Sequence, residues 1–124
     1  KSEVCSQPAE LLSIYPTLLE LCGLPPNPQL DGKSLVPLLT DPDAAWNRPA
    51  ITTHGTGNHA VRTATHRYIR YHDGSEELYD LRVDANEWTN LAADPAFADL
   101  KKELARWLPD KEQKAFPPAV KSAR

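Results

Sequence analysis

Four histidines are the side chains in this 124-residue chain best suited to acid–base or metal chemistry. His54 and His59 bracket Gly55-Thr56-Gly57-Asn58, while His66 and His72 sit near the two ends of a segment that reads as a strand. Their spacings of five and six residues place no pair one helical turn apart and build no tetrahedral zinc pattern. Loop or surface histidine is therefore the simpler reading, and no metal site is expected in this chain. No G-x-S-x-G elbow and no Gly-rich turn opening a helix is present to hold a nucleophile or a phosphate. Carboxylates are plentiful but scattered through turns and helix ends, with Asp31, Asp73 and Asp84 most economically turn residues.

The loop from His54 to His59 is the exception. Its two glycines let the backbone approach a ligand closely. His54, Asn58 and His59 offer polar donors beside them, and Arg62 follows on the next predicted strand. Imidazole, amide and guanidinium donors on a glycine loop suit an anionic group such as sulfate, carboxylate or phosphate. An ordinary hairpin connection accounts for the same residues, and both readings stand at this point.

These residues need elements to position them. Residues 4–12 read as extended, with Pro8 steering Gln7 away from helix. Ser13 is placed to cap a helix over Ile14–Cys22, with Pro16 in its first turn and Gly23 at its end. That helix is nearly all apolar and calls for burial on more than one side, hence against a larger partner domain. Pro25, Pro26 and Pro28 make a stiff linker, Leu30-Asp31-Gly32 a turn, and Leu35–Leu39 one short helix started by Ser34 and ended by Asp41-Pro42. From Ala50 the period becomes two, predicting strands at Ile51–Thr53, Ala60–Thr63, Arg67–Tyr71 and Glu77–Leu81. Asp73-Gly74 predicts a tight two-residue hairpin with both residues at positive φ. Asp84–Asn90 is a polar loop bearing Trp88. Asp94 then caps a helix with Pro95 at its first position, carrying Phe97, Leu100, Leu104, Trp107 and Leu108 until Pro109 stops it. The predicted class is α+β: a small antiparallel sheet of about four strands packed by a long C-terminal helix, preceded by a short apolar helix.

Composition limits the partners. The chain is 40% hydrophobic and 25% charged with a formal charge of −3, too mild to act as a field for a polyanion such as nucleic acid. No apolar run nears the roughly 20 residues that cross a bilayer, so no membrane partner is expected. Cys5 and Cys22 are too few for a disulfide scaffold; either one bridge or two buried thiols fits, and the compartment is not set by them. A start at Lys1, without Met or a signal-peptide pattern, reads as a piece of something longer.

Taken together the motifs resemble the sulfatase family. Ile14-Tyr15-Pro16-Thr17-Leu18-Leu19-Glu20-Leu21-Cys22-Gly23-Leu24-Pro25 resembles its "D-[ILV]-x-P-T-L-L-x-L-x-G" helix, and Leu30 to Leu39 is similar to "L-D-G-x-S-L-x-P-L-L". Ala60-Val61-Arg62-Thr63 and Arg67-Tyr68-Ile69-Arg70-Tyr71 look like "A-V-R-T…R-Y-I-R-Y". Glu77-Leu78-Tyr79-Asp80-Leu81, then Asp84 to Glu87 and Asn90-Leu91, resemble "E-L-Y-D-L…D-P-x-E…N-L". The match runs in order over residues 7–108, closest to an iduronate-2-sulfatase-like bacterial group through Gly57-Asn58-His59-Ala60-Val61-Arg62. Ser13 stands where the family usually has Asp, and Ala85 replaces the Pro of "D-P-x-E".

The resemblance implies a larger enzyme, in which an alkaline-phosphatase-like α/β domain precedes a C-terminal sheet and helix. Such enzymes hydrolyse sulfate esters, those of sulfated glycans among them, with a formylglycine made in C/S-x-P-x-R and a calcium ion on Asp and Asn or His ligands. Neither part is expected here. Cys5-Ser6-Gln7-Pro8-Ala9 puts Pro three residues after Cys and Ala where Arg belongs. On this reading residues 1–49 are the end of the large domain and a linker, 50–110 a C-terminal subdomain, and 111–124 a tail. The partners are the N-terminal catalytic domain of the same polypeptide and a sulfated small molecule or glycan, in a periplasmic or secreted setting. The chain is expected to be inactive alone, with His54, Asn58, His59 and Arg62 walling the substrate pocket. A lone glycan-binding module, a structural lid, or part of a phosphonate or phosphodiester hydrolase are the competing readings.

Overall fold

A computed structural model of the chain describes residues 3–110, so the expected tail from 111 lies outside the described residues. One 3-10 turn, Leu11–Ser13, runs directly into helix α1, Ile14–Leu21. Ser13 therefore has helical angles and makes no side-chain cap, contrary to expectation. The turn upstream extends helical geometry past it and leaves it buried. Thr17 does the local work instead: its hydroxyl donates to the Ser13 carbonyl at 2.5 Å and accepts the Leu35 amide at 2.8 Å. That pair ties α1 to the start of helix α2, Val36–Thr40. Gly23, at φ +67°, ends α1 as predicted, with the Leu24 amide on the Leu19 carbonyl and the Gly23 amide on Glu20. Both cysteines are free, Cys22 exposed and Cys5 partly buried with its thiol toward the Pro42 carbonyl, so neither expected arrangement holds.

The sheet contains β1 (Ala50–Thr53), β2 (His59–Arg62), β3 (His66–Arg70) and β4 (Glu76–Asp80), all antiparallel in sequence order. Each strand begins one residue before its predicted start. After β2 the reason is Thr63, whose hydroxyl accepts the amides of Thr65 and His66 and so shapes the turn instead of extending the strand. In the β3–β4 hairpin only Gly74 takes positive φ, at +84°. Tyr71 and Ser75 close a three-residue loop in place of the predicted two-residue turn, with Asp73 accepting from both the amide and the hydroxyl of Ser75.

Strand register sorts side chains into rows. Ile51, Val61, Tyr68 and Leu78 are successive neighbours on the inner face, and the last three are fully buried. Thr53, His59, Arg70 and Glu76 form the next inner row. The outer face carries Ala50, Arg62, Arg67 and Tyr79 in one row and Thr52, Ala60, Ile69 and Glu77 in the other. Ala92, Leu104 and Leu108 complete the inner core, flanked by Leu91, Phe97, Leu100 and Ala105.

The C-terminal helix is shorter than predicted. Asp94 accepts the Ala96 amide at 2.9 Å, as its capping role requires, but Pro95–Phe97 forms a 3-10 turn and α3 spans Ala98–Ala105. Arg106, Trp107 and Leu108 donate three residues back, tightening the chain ahead of Pro109. Leu104 and Leu108 still reach the core. Lys101 fixes α3 to the sheet through Glu76 at 2.7 Å, and Glu76 also accepts the hydroxyl of Tyr68. Beyond β4, Asn90 accepts the Leu78 amide at 3.0 Å and the Ala92 amide at 2.9 Å while donating to the Glu76 carbonyl, and the Leu91 amide joins Leu78 at 2.8 Å.

Candidate functional site

On the outer face, Thr52, Ala60 and Ile69 form the floor of an open groove of about 250 Å³. The middle strand presents only a methyl group, which is why the face is hollow there. His54, Asn58 and His59 border one end, and Tyr71, just past the end of β3 and two residues beyond Ile69, borders another side.

Asn58 builds this end of the groove. The His54 amide closes the β1–β2 loop on the Asn58 carbonyl at 3.0 Å, and the Asn58 side-chain amide donates to the carbonyls of His54 at 3.0 Å and Thr56 at 3.3 Å. Its Oδ1 accepts the His72 amide at 3.2 Å, linking this loop to the β3–β4 hairpin. Gly55 and Gly57 take positive φ, and a β-carbon on Gly57 would lie 2.9 Å from that of His72. The two loops thus hold each other.

Of the four residues singled out in the sequence, His54, Asn58 and His59 all border the groove, with His54 exposed. His59 lies on the inner side of β2, 2% exposed, with Nδ1 2.9 Å from the Thr53 hydroxyl. Arg62 shares the outer face one row away, 3.8 Å from Glu87. Glu87 sits closer to Arg67, at 2.8 Å, and is the single non-glycine at positive φ among the described residues. Asp84 holds that loop by accepting the amides of Trp88 and Thr89, which keeps its own carboxyl below the usual range.

Tyr71, Tyr79 and Glu77 were not singled out in the sequence. The Glu77 carboxylate accepts the Tyr71 hydroxyl at 3.1 Å on one oxygen and the Tyr79 hydroxyl at 3.0 Å on the other. The bond to Glu77 raises the Tyr71 hydroxyl; burial first and then Glu77 push Tyr79 up to about 12. Both hydroxyls stay protonated donors at neutral pH. The signal was available in principle: alternation puts Ile69 and Tyr71 on one face, and the hairpin register sets Glu77 beside them. Chemically, the groove can hold and orient a ring with polar substituents. Among the described residues, no three His, Cys, Asp or Glu side chains come together where they could hold a metal ion.

A four-stranded antiparallel sheet with a helix across one face, preceded by an apolar helix and a proline-rich linker, makes this an α+β unit. The chain is similar over 73% of its length to the solved structure of BT1596, a 2-O GAG sulfatase, with 28% identity, a TM-score of 0.60 and 22% of that chain covered. Residues 3–114 match the family described as N-sulphoglucosamine sulphohydrolase, C-terminal, and the chain belongs to that family of sulfatase C-terminal regions. It is 44% identical over 109 residues to a sulfatase of Formosa agariphila, covering 88% of this chain. To the Delta 4,5-hexuronate-2-O-sulfatase of Bacteroides thetaiotaomicron it is 31% identical over 108 residues, covering 80% of this chain. It spans 22% of the length of each of these two relatives.

Proposed function

We propose that this chain is the C-terminal portion of a sulfatase that hydrolyses sulfate esters of glycan sugars, and that its outer sheet face walls the substrate pocket. The observation that carries this is the bare side of α1. Leu11, Ile14, Leu18 and Leu21 recur at spacings of three, four and three, each more than half exposed. A stripe of that kind belongs in an interface, and a chain covering 22% of its relatives has a natural occupant for it in the N-terminal catalytic domain of the same polypeptide. Residues 1–49 go with that domain, and 50–110 form the C-terminal subdomain.

Calcium and formylglycine are the groups sulfatase chemistry implies. The described residues do not fit either: no three of their His, Cys, Asp or Glu side chains come together where they could hold a metal ion, and Cys5 lacks the sequence around it. Both are assigned to the N-terminal domain. His54, Asn58, His59 and Arg62 are assigned to the pocket wall: His54 toward the ligand, Asn58 and His59 holding the loop, Arg62 contributing positive charge. The similarity to a hexuronate-2-O-sulfatase and a 2-O GAG sulfatase makes a 2-O-sulfated hexuronate the first substrate to try. A periplasmic or secreted setting fits such a glycan. No helix among the described residues is long and apolar enough to cross a membrane.

The test compares the isolated chain with the complete polypeptide, each supplied with calcium, on 4-nitrophenyl sulfate and a Δ4,5-hexuronate 2-O-sulfate. The complete protein is expected to turn over and the isolated chain to be silent. Turnover by the isolated chain, or none by a complete protein bearing the nucleophile motif, overturns the assignment.

A further inference from the structure

We infer that Tyr71 is a specificity-determining residue: with Ile69 it forms a platform on which a single pyranose ring of the substrate stacks, its acidic substituent turned toward His54. The inference rests on the sulfatase reading above and deepens it by assigning the sugar ring, as opposed to the sulfate, to this sheet face. Size comes first. At about 250 Å³ the groove falls below the roughly 300–1,000 Å³ of pockets that enclose drug-sized ligands, and it suits one ring. Composition follows: Ala60 and Ile69 give a floor that is apolar apart from Thr52, Tyr71 an aromatic wall, and His54 and Asn58 a polar rim, the mixture that a sugar's apolar face and hydroxyl edge require.

Rigidity is the third element. Glu77 fixes the Tyr71 hydroxyl from below, and Tyr79 occupies its other oxygen, so the carboxylate is held in place from two sides. Asn58 bridges the His54 carbonyl and the His72 amide, tying the loop that carries His54 to the hairpin that follows Tyr71 before any ligand arrives. A wall held this way loses little freedom on binding. Glu77 and Asn58 are positioning residues; Tyr71 is the one that meets the ring.

The experiment uses the complete polypeptide with Tyr71→Ala, Tyr71→Leu and Tyr71→Phe, assayed on a Δ4,5-hexuronate 2-O-sulfate with inorganic sulfate as a competing ligand; wild type is also assayed on 4-nitrophenyl sulfate. Tyr71→Leu keeps apolar bulk in case the alanine variant folds poorly. For the sugar, alanine and leucine are expected to raise KM about tenfold, the factor that about 1.4 kcal/mol of lost binding gives, with kcat within about twofold. Phenylalanine is expected to stay within about threefold of wild type, and all three to leave the inhibition constant of inorganic sulfate, which has no ring to stack, unchanged. A sulfate inhibition constant that worsens as much as the sugar KM, or an unchanged sugar KM in the alanine variant, overturns the inference and leaves the sulfatase reading intact. A wild-type protein that cleaves the aryl sulfate but not the sugar ester also counts against the platform alone. A wild type that cleaves neither brings down the sulfatase reading and the platform with it.

Discussion

Gly32 passes so close to Leu12 that a β-carbon built on it would lie 1.9 Å from the Leu12 carbonyl oxygen. Gly32 is not at positive φ, so the demand is one of space: the loop before α2 lies directly on the turn before α1. Gly32→Ala is expected to destabilise the protein by at least about 1–3 kcal/mol, the usual cost of overpacking, because backbone is what must move. Urea unfolding of wild type and variant measures it.

Gly74 makes the opposite case. Nothing lies within 4 Å of a β-carbon there, yet its φ is +84°. Gly74→Ala is expected to cost about 1–2 kcal/mol from conformation alone, and Gly74→Asn less, since asparagine tolerates the left-handed region. Unfolding midpoints of the pair separate the two effects.

Asn90→Ala leaves the Leu78 and Ala92 amides and the Glu76 carbonyl without their side-chain partner. A loss of about 1–3 kcal/mol is expected, the range for orphaning a buried donor. Faster hydrogen exchange at the Leu78 amide than at Tyr68 locates it.

Acid should loosen the inner face. Hydrogen bonds from Arg82 hold the Asp80 carboxyl down to about 2, and Lys101 with Tyr68 lowers Glu76. Each lies below its own ordinary carboxylate value. Their stabilisation is therefore present above the ordinary values and is lost as pH falls through the folded ones, for Asp80 toward about 2. Denaturant midpoints are expected to fall across that window, and Asp80→Asn to flatten the fall while lowering stability at neutral pH.

The bare side of α1 gives the isolated chain a reason to self-associate. Leu18→Glu, at a half-exposed position in the middle of the stripe, is expected to keep the isolated chain monomeric where wild type forms larger species. Light scattering during size exclusion reads this. In the complete polypeptide the same change should lower the yield of folded enzyme.

Much of this fold could be read from periodicity. The alternation after Ala50 gave four strands, Asp73-Gly74 the pairing of the last two, and the spacing of Leu100, Leu104 and Leu108 the face that covers Tyr68 and Leu78. What stayed hidden depends on groups distant in sequence. Ser13 has the chemistry of a cap, but the turn upstream absorbs it into helical backbone. His59 and Arg62 are three apart in the chain and point to opposite faces of β2, which shows only once the strand's start is fixed to the residue. Glu77 looks like any surface acid until register brings two tyrosine hydroxyls onto it.

On each flank of the sheet the chain engages outward-facing backbone groups itself, several beside β4 and one on β1. Asn90 and Leu91 take hydrogen-bonding positions beside Leu78, and the Glu10 carboxylate takes the Ile51 amide at 3.0 Å on the far strand. A neighbouring molecule seeking to add a fifth strand finds these backbone groups engaged and a negative charge in its way. Even with its apolar helix uncovered, the domain is protected against templated β-aggregation, so surplus protein should associate reversibly through α1 and not through its strands.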